Sequence, residues 1–288
     1  MAQIMKRKWL AYRRDPKSLL LLISVYLAAF FTMLALLFII MYILVKGIPN
    51  LTPELFDKTY TSENVSLLPA LVNTLLITLL SLLFAVPVGI GAAIYLTEYA
   101  RRGNKLVGIV GVTAETLSGI PSIVYGLFGS LFFVKYLGFG LSLLSGSLTL
   151  SIMILPLIMR TTEEALRSVP DSYREGSFGL GAGKLRTVFA IVLPCAVPGI
   201  LSGVILGIGQ IVGESAALIF TAGTVAEIAS GIFSSARTLS VHMYSISGEG
   251  LYIDQTYATA VVLLVVVILI NALSSYAAKK IGGERTDG

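Results

Sequence analysis

Cysteine, histidine and charge are all scarce in this chain, with one Cys, one His and one Trp in 288 residues and only 13% of positions charged. Each shortage excludes a class of chemistry. A single thiol, Cys195, cannot form an intrachain disulfide, and its apolar neighbours suit a buried, inert side chain. With His242 alone and no Cys/His cluster, the chain has the raw material for neither a zinc site nor a histidine-dependent nucleophilic triad. Soluble domains carry roughly a quarter charged residues, whereas this one is 56% hydrophobic, which places it in a bilayer.

Apolar runs give the spans. Leu19–Val45 is the first, too long and too lacking in a small-residue cleavage site for a signal peptide, with Trp9 and Tyr12 among the basic residues ahead of it. Ile48–Ser66 reads as an external loop with a short helix, Leu67–Thr97 as the second span, and Val107–Val134 as the third. Leu141–Met159 is the fourth. Val188–Phe220 exceeds one crossing, so Pro194 and Pro198 are expected to divide it into an interfacial start and a fifth span. Thr221–Thr256 reads as an external loop in which Arg237 and His242 are solvated, and Tyr257–Ala277 as the sixth span. The expected fold is therefore an all-α membrane protein of six transmembrane helices. Residues 1–18 form an N-terminal segment, 19–278 the membrane domain and 279–288 a polar tail.

Seventeen of the 21 Lys and Arg residues fall on the side that holds both termini and the 160–194 segment, so the positive-inside rule makes that side cytoplasmic. Insertion accounts for the net charge of +5 without nucleic-acid binding.

The longest charged region is Arg160 to Pro194. Within it, Ser172-Tyr-Arg-Glu175 fits a capping box that starts a helix of about two turns, and Gly179, Gly181 and Gly183 crowd its far end. The run Gly179–Leu185 superficially matches a phosphate-binding loop, but its spacing is one residue short and it lacks the Ser or Thr that holds magnesium. ATP hydrolysis is not expected on this chain.

Glu175-Gly-Ser177, then Gly181, then Ile191-Val-Leu-Pro194, resembles the EAA motif of ABC importer permeases, with Gly176 and Ser177 in place of its two alanines. The resemblance implies a type I importer (MetI-like) permease fold. It also makes this segment a coupling helix seated on a separate ATP-hydrolysing subunit, with ATP and Mg held by that partner and no cofactor in this chain. The expected coupling residues are Ser172, Glu175, Gly176, Gly181 and Pro194.

Glu115 and Glu214 are the acidic residues inside spans, where a carboxylate either lines an aqueous path or is hydrogen-bonded structurally. Gly119 and Pro121 follow the first, and Gly213 precedes the second. Gly199, Gly203 and Gly207 put small residues on one helix face, for contact with a second permease subunit or for packing inside the bundle.

Four further stretches resemble the A-type permease subunits of the phosphate-specific transport (Pst) system: Glu115–Gly126, Arg160–Leu166, Val169–Ser172 and Gly213–Ala222. That family implies phosphate import with ATP-binding subunits, a second related permease and an extracytoplasmic phosphate-binding protein, all within membrane lipid. This chain has Gln210 where many relatives have Arg, and Ala217 where they have Pro. The candidate path comprises Glu115, Ser118, Ser122, Arg160, Gln210, Glu214 and Ser215, with serine hydroxyls and backbone amides near Gly119 and Gly213 as donors to an anion. Alternatives are a permease for another oxyanion, the sister phosphate permease, and a six-span channel or secondary transporter, which needs no coupling motif.

Overall fold

The computed structural model describes residues 16–101 and 105–283, and every regular element among them is helical. In chain order these are α1 (Pro16–Gly47), α2 (Leu68–Ile94), α3 (Lys105–Ser118), α4 (Ser122–Gly129), α5 (Leu143–Arg167), α6 (Asp171–Gly179), α7 (Lys184–Thr187), α8 (Leu193–Gly213), α9 (Ala216–Thr221), α10 (Leu239–Glu249) and α11 (Ile253–Gly283). Lys6, Arg7, Lys8, Trp9, Tyr12, Arg13 and Arg14 lie outside the described residues, as do Arg102 and the chain beyond Gly283. Five stretches are long and apolar enough to cross a membrane, and the bent pair 107–118 with 122–136 makes a sixth.

The centre of the bundle is α2 against α5 against α8. Small and hydroxylated residues let the backbones approach. A Cβ added at Gly89 would lie 2.8 Å from Ile158 Cγ2, and Ser151 Oγ donates to the Ser81 carbonyl at 3.0 Å. Gly199 and Gly203 face Ala165 and Thr161 of α5, so the glycine stripe serves packing inside the bundle. Ile77, Leu150, Ile154, Ile158 and Ile211 fill the space between. In contrast α1 exposes large apolar side chains along its length and packs against α11, as a lipid-facing helix would.

Several expected boundaries are corrected. The third span is two helices bent by 103° at residues 119–121, because Pro121 takes an extended ψ of 141° and serves as the N-cap of α4. The fifth is not divided at Pro194 or Pro198. Helix runs from Lys184 to Gly213, and the π turn Val188–Val192 ahead of Pro194 is the kind of local adjustment by which membrane helices carry proline. Its break falls instead at Glu214, whose ψ of 131° separates α8 from α9. Arg160 to Arg167 belong to the last turns of α5 rather than to the connecting segment. Cys195 is exposed, not buried.

The region after α9 is a folded structure, not a solvated loop. Asn73, fully buried on α2, donates to the Glu227 and Arg237 carbonyls and accepts from the Ala229 amide, pinning the chain across the bundle end. His242 is buried as well, with Tyr60 edge-on at 6.0 Å and Arg237 Nη1 at 3.4 Å from Nδ1. Burial first, and then the Arg237 charge, lower its pKa from the ordinary 6.5 to about 4.

That depression fixes a sign. Between pH 6.5 and about 4 the unfolded chain binds a proton that the folded chain refuses, so the contribution is full above 6.5 and falls away on acidification, by about 3 kcal/mol in all. Thermal unfolding of the purified protein should show this as a stability difference between parent and His242→Gln that shrinks from pH 7 to pH 4. A difference independent of pH would mean that the imidazole is not held neutral.

Candidate functional site

The bend in the third span creates a polar cavity. At the end of α3 the amides of Gly119 and Ile120 turn back to the Thr116 and Leu117 carbonyls, and Tyr125, one turn into α4, donates its hydroxyl to the Leu117 carbonyl at 2.8 Å. Beneath this corner lies a cavity of about 350 Å³ lined by Leu117, Ser118, Ile120, Ser122, Tyr125, Met153, Leu157, Arg160 and Gln210. Arg160 reaches it from α5 and Gln210 from α8. Glu115, one turn before the bend, pairs with Arg160 at 3.5 Å.

Of the candidate path residues, Ser118, Ser122, Arg160 and Gln210 thus line one cavity, and Glu115 joins through its ion pair. The Ser118 hydroxyl donates to the Glu115 carbonyl at 2.8 Å, so its proton is committed to its own helix. Glu214 and Ser215 are not on the cavity wall: the Glu214 carboxylate accepts from the Ala217 amide at 3.0 Å, capping the short α9. What α9 does is support the corner from behind. A Cβ at Gly126 of α4 would come within 2.8 Å of Ala217 Cα, so the two pieces of broken helix meet backbone to backbone.

At one end of the bundle α6 forms a short helical projection. Ser172 is not its cap. Pro170, with φ −57° and ψ 139°, holds the N-cap position, Asp171 occupies the first turn and no side chain bonds the free amides, so the capping box expected for Ser172 and Glu175 does not form. The far end closes as expected of a glycine: Gly181 has φ +81°, with its amide on the Phe178 carbonyl and the Ala182 amide on the Ser177 carbonyl. Ser177, standing where the motif has alanine, shares a buried 2.8 Å hydrogen bond with Thr187 that ties α6 to α7. Ser172, Glu175 and Gly176 are exposed on α6, whereas Pro194 lies at the start of α8. Around them Tyr173, Phe178, Leu180 and Leu185 present exposed apolar side chains, Leu180 at 91%.

Two residues at this end carry no signal in a single sequence. Arg174 of α6 and Glu98 of the π turn after α2 form an ion pair at 2.6 Å, with side chains 15% and 8% exposed. They line a cavity of about 730 Å³, which holds none of the path residues.

Membrane-length helices around an interrupted pair, with a polar cavity at the interruption and a short exposed helix at one end, define a multi-pass transport permease. The chain belongs to the family described as binding-protein-dependent transport system inner membrane component, which it matches over residues 85–282. It is 34% identical to the probable ABC transporter permease protein YqgI of Bacillus subtilis, over 74% of this chain and 77% of that one. It is 38% identical to the phosphate transport system permease protein PstA of Pasteurella multocida, over 73% and 75%. Its fold is that of a permease in a bacterial ABC transporter that imports the polysaccharide alginate, at a TM-score of 0.65 and 18% identity over 96% of this chain and 99% of that one. The chain is a membrane subunit of an ABC importer and not itself an enzyme.

Open space around Gly181 means that only its backbone angle resists substitution. Gly181→Val should weaken the closure of α6 by about 1–2 kcal/mol, with Gly181→Asn costing less because Asn tolerates the left-handed region. Hydrogen exchange across residues 176–183 measures this, and equal protection in both variants would contradict it.

Proposed function

We propose that this chain is the permease subunit of an ATP-driven importer of inorganic phosphate, with both termini and α6 on the cytoplasmic side. The observation that carries the phosphate reading is the similarity to permeases named for phosphate transport, PstA of Pasteurella multocida among them. The importer assembles around this chain with ATP-binding subunits that hold ATP and Mg, a second related permease and an extracytoplasmic phosphate-binding protein. The exposed apolar and polar side chains of α6 offer the surface on which the ATP-binding subunit seats.

The cavity suits such an anion. Arg160 supplies a fork of donors, and Ser122 and Gln210 add neutral ones from α4 and α8. Glu115 has the wrong charge for a static anion site. However, phosphate near neutral pH keeps a proton, through which it can donate a hydrogen bond to an ionised Glu115 while Arg160 takes the oxygens that repel it. Sulfate has no proton to offer. The Glu115–Arg160 pair therefore opens to admit one oxyanion and repels the other.

In reconstituted complexes Arg160→Gln should lower phosphate import by about 10-fold or more, the worth of a charge-assisted hydrogen bond. Glu115→Gln should narrow the preference for phosphate over sulfate. Parental selectivity in Glu115→Gln would leave that carboxylate a structural role only.

Orientation is tested separately. Ser62, Ser172 and Ser247 are all exposed on the chain, so cysteines placed there after replacing Cys195 report sidedness and not burial. In intact cells Ser62→Cys and Ser247→Cys should react with a membrane-impermeant thiol reagent and Ser172→Cys should not. Labelling of Ser172→Cys from outside would invert the topology.

A further inference from the structure

A two-and-a-half-turn helix hung between two joints would swing freely under load. One joint is Ser168–Pro170, the other Leu180–Gly183, and α6 between them is too short to resist on its own. Arg174 removes that freedom at the first joint. Its Nη2 donates to the Leu166 carbonyl at 2.9 Å, beside the Val169 amide already there, and its Nη1 to the Val169 carbonyl at 2.8 Å, so a side chain of α6 reaches both the end of α5 and the joint. The other edge of the same guanidinium takes Glu98, with Nη2 at 2.6 Å and Nε at 3.2 Å from Oε1. Nη1 also reaches Asp171 at 3.3 Å. One planar group therefore binds the short helix, the end of α5 and the π turn that ends α2.

We propose that Arg174 and Glu98 are a positioning pair that couples displacement of α6 to the ends of α2 and α5. This rests on α6 being the seat of the ATP-binding subunit. Without the pair, a push on α6 is absorbed by rotation at Pro170; with it, α2 and α5 move together with α6. Lysine cannot substitute, because its three donors radiate from one atom and do not meet two carbonyls and a carboxylate in one plane.

The test uses the complete complex in proteoliposomes, with its ATP-binding subunits and binding protein, and reads ATP hydrolysed per phosphate imported. Glu98→Gln and Arg174→Lys, in complexes that assemble, should each raise that ratio by about tenfold, the scale of one lost charge-assisted hydrogen bond. In a Cys195→Ser background, Glu98→Cys with Arg174→Cys should be uncoupled until a short bifunctional thiol reagent joins the two positions, and should then regain most of the parental ratio. A role in stability alone predicts no such rescue. A parental ratio in both conservative variants, no recovery on crosslinking, or failure of both conservative variants to assemble would each overturn the proposal. A parent complex that hydrolyses ATP but carries no phosphate would overturn the transport reading, whereas an active parent whose two conservative variants keep its ratio overturns the pair alone.

Discussion

A helix interrupted inside hydrocarbon leaves amides and carbonyls that lipid cannot satisfy, and each left bare costs several kcal/mol. Among the described residues two helices are interrupted, at residues 119–121 and at Glu214–Ser215, and local hydrogen bonds answer much of that demand at both. The amides of Gly119 and Ile120 fold back on their own turn, Tyr125 takes the Leu117 carbonyl, and Glu214 takes the Ala217 amide. The broken ends are then placed against each other, Gly126 on Ala217, with α5 packed behind. The α3 corner opens onto the polar cavity, and Glu214 and Ser215 at the second break are half-buried.

The opposite demand operates at the α6 end. Glu98 and Arg174 are largely withdrawn from solvent, and such a pair is poor value as a stabiliser, since its desolvation can match the Coulomb gain. Removing one partner is another matter, because the stranded charge costs about 3–5 kcal/mol. A pair of that kind specifies an arrangement more than it strengthens one. Here the arrangement is the angle at which α6 leaves α5, and all five donors of the guanidinium are used to hold it.

Much of this was legible in the sequence, and the failures share a cause. Apolar runs located the spans, the left-handed glycine at 181 followed from its place after a short helix, and Glu115 stood out as a carboxylate beside Gly119 and Pro121. Local rules misled wherever tertiary partners outbid them. Ser172-Tyr-Arg-Glu175 satisfies a capping pattern, yet Pro170 caps the helix two residues earlier and Arg174 is drawn inward. Pro194 and Pro198 look like breakers, but the π turn ahead of Pro194 lets the helix continue, while the real break at Glu214 has no proline at all. His242 and Asn73 were unreadable because Tyr60, which covers the imidazole, and residues 227–237, which bind Asn73, lie far away in sequence.

The two polar sites are linked by a single helix. Arg160 and Leu166 both belong to α5, six residues apart, which at 1.5 Å per residue separates cavity and clasp by about 9 Å along the axis. The stretch between them has no proline or glycine, and Glu163 pairs with Arg167 along its surface. It packs on α8 through Gly199 and Gly203, so it is stiff in itself and bedded on a close backbone neighbour. A tilt imposed at Leu166 is thus carried along a stiff helix toward Arg160, whose 3.5 Å contact to Glu115 joins α5 to α3. Because the contact lies between α5 and the separately bent α3, it is the element of the cavity most sensitive to such a tilt. Under the proposed coupling, displacement of one end of α5 is enough to alter the Glu115–Arg160 contact at the cavity.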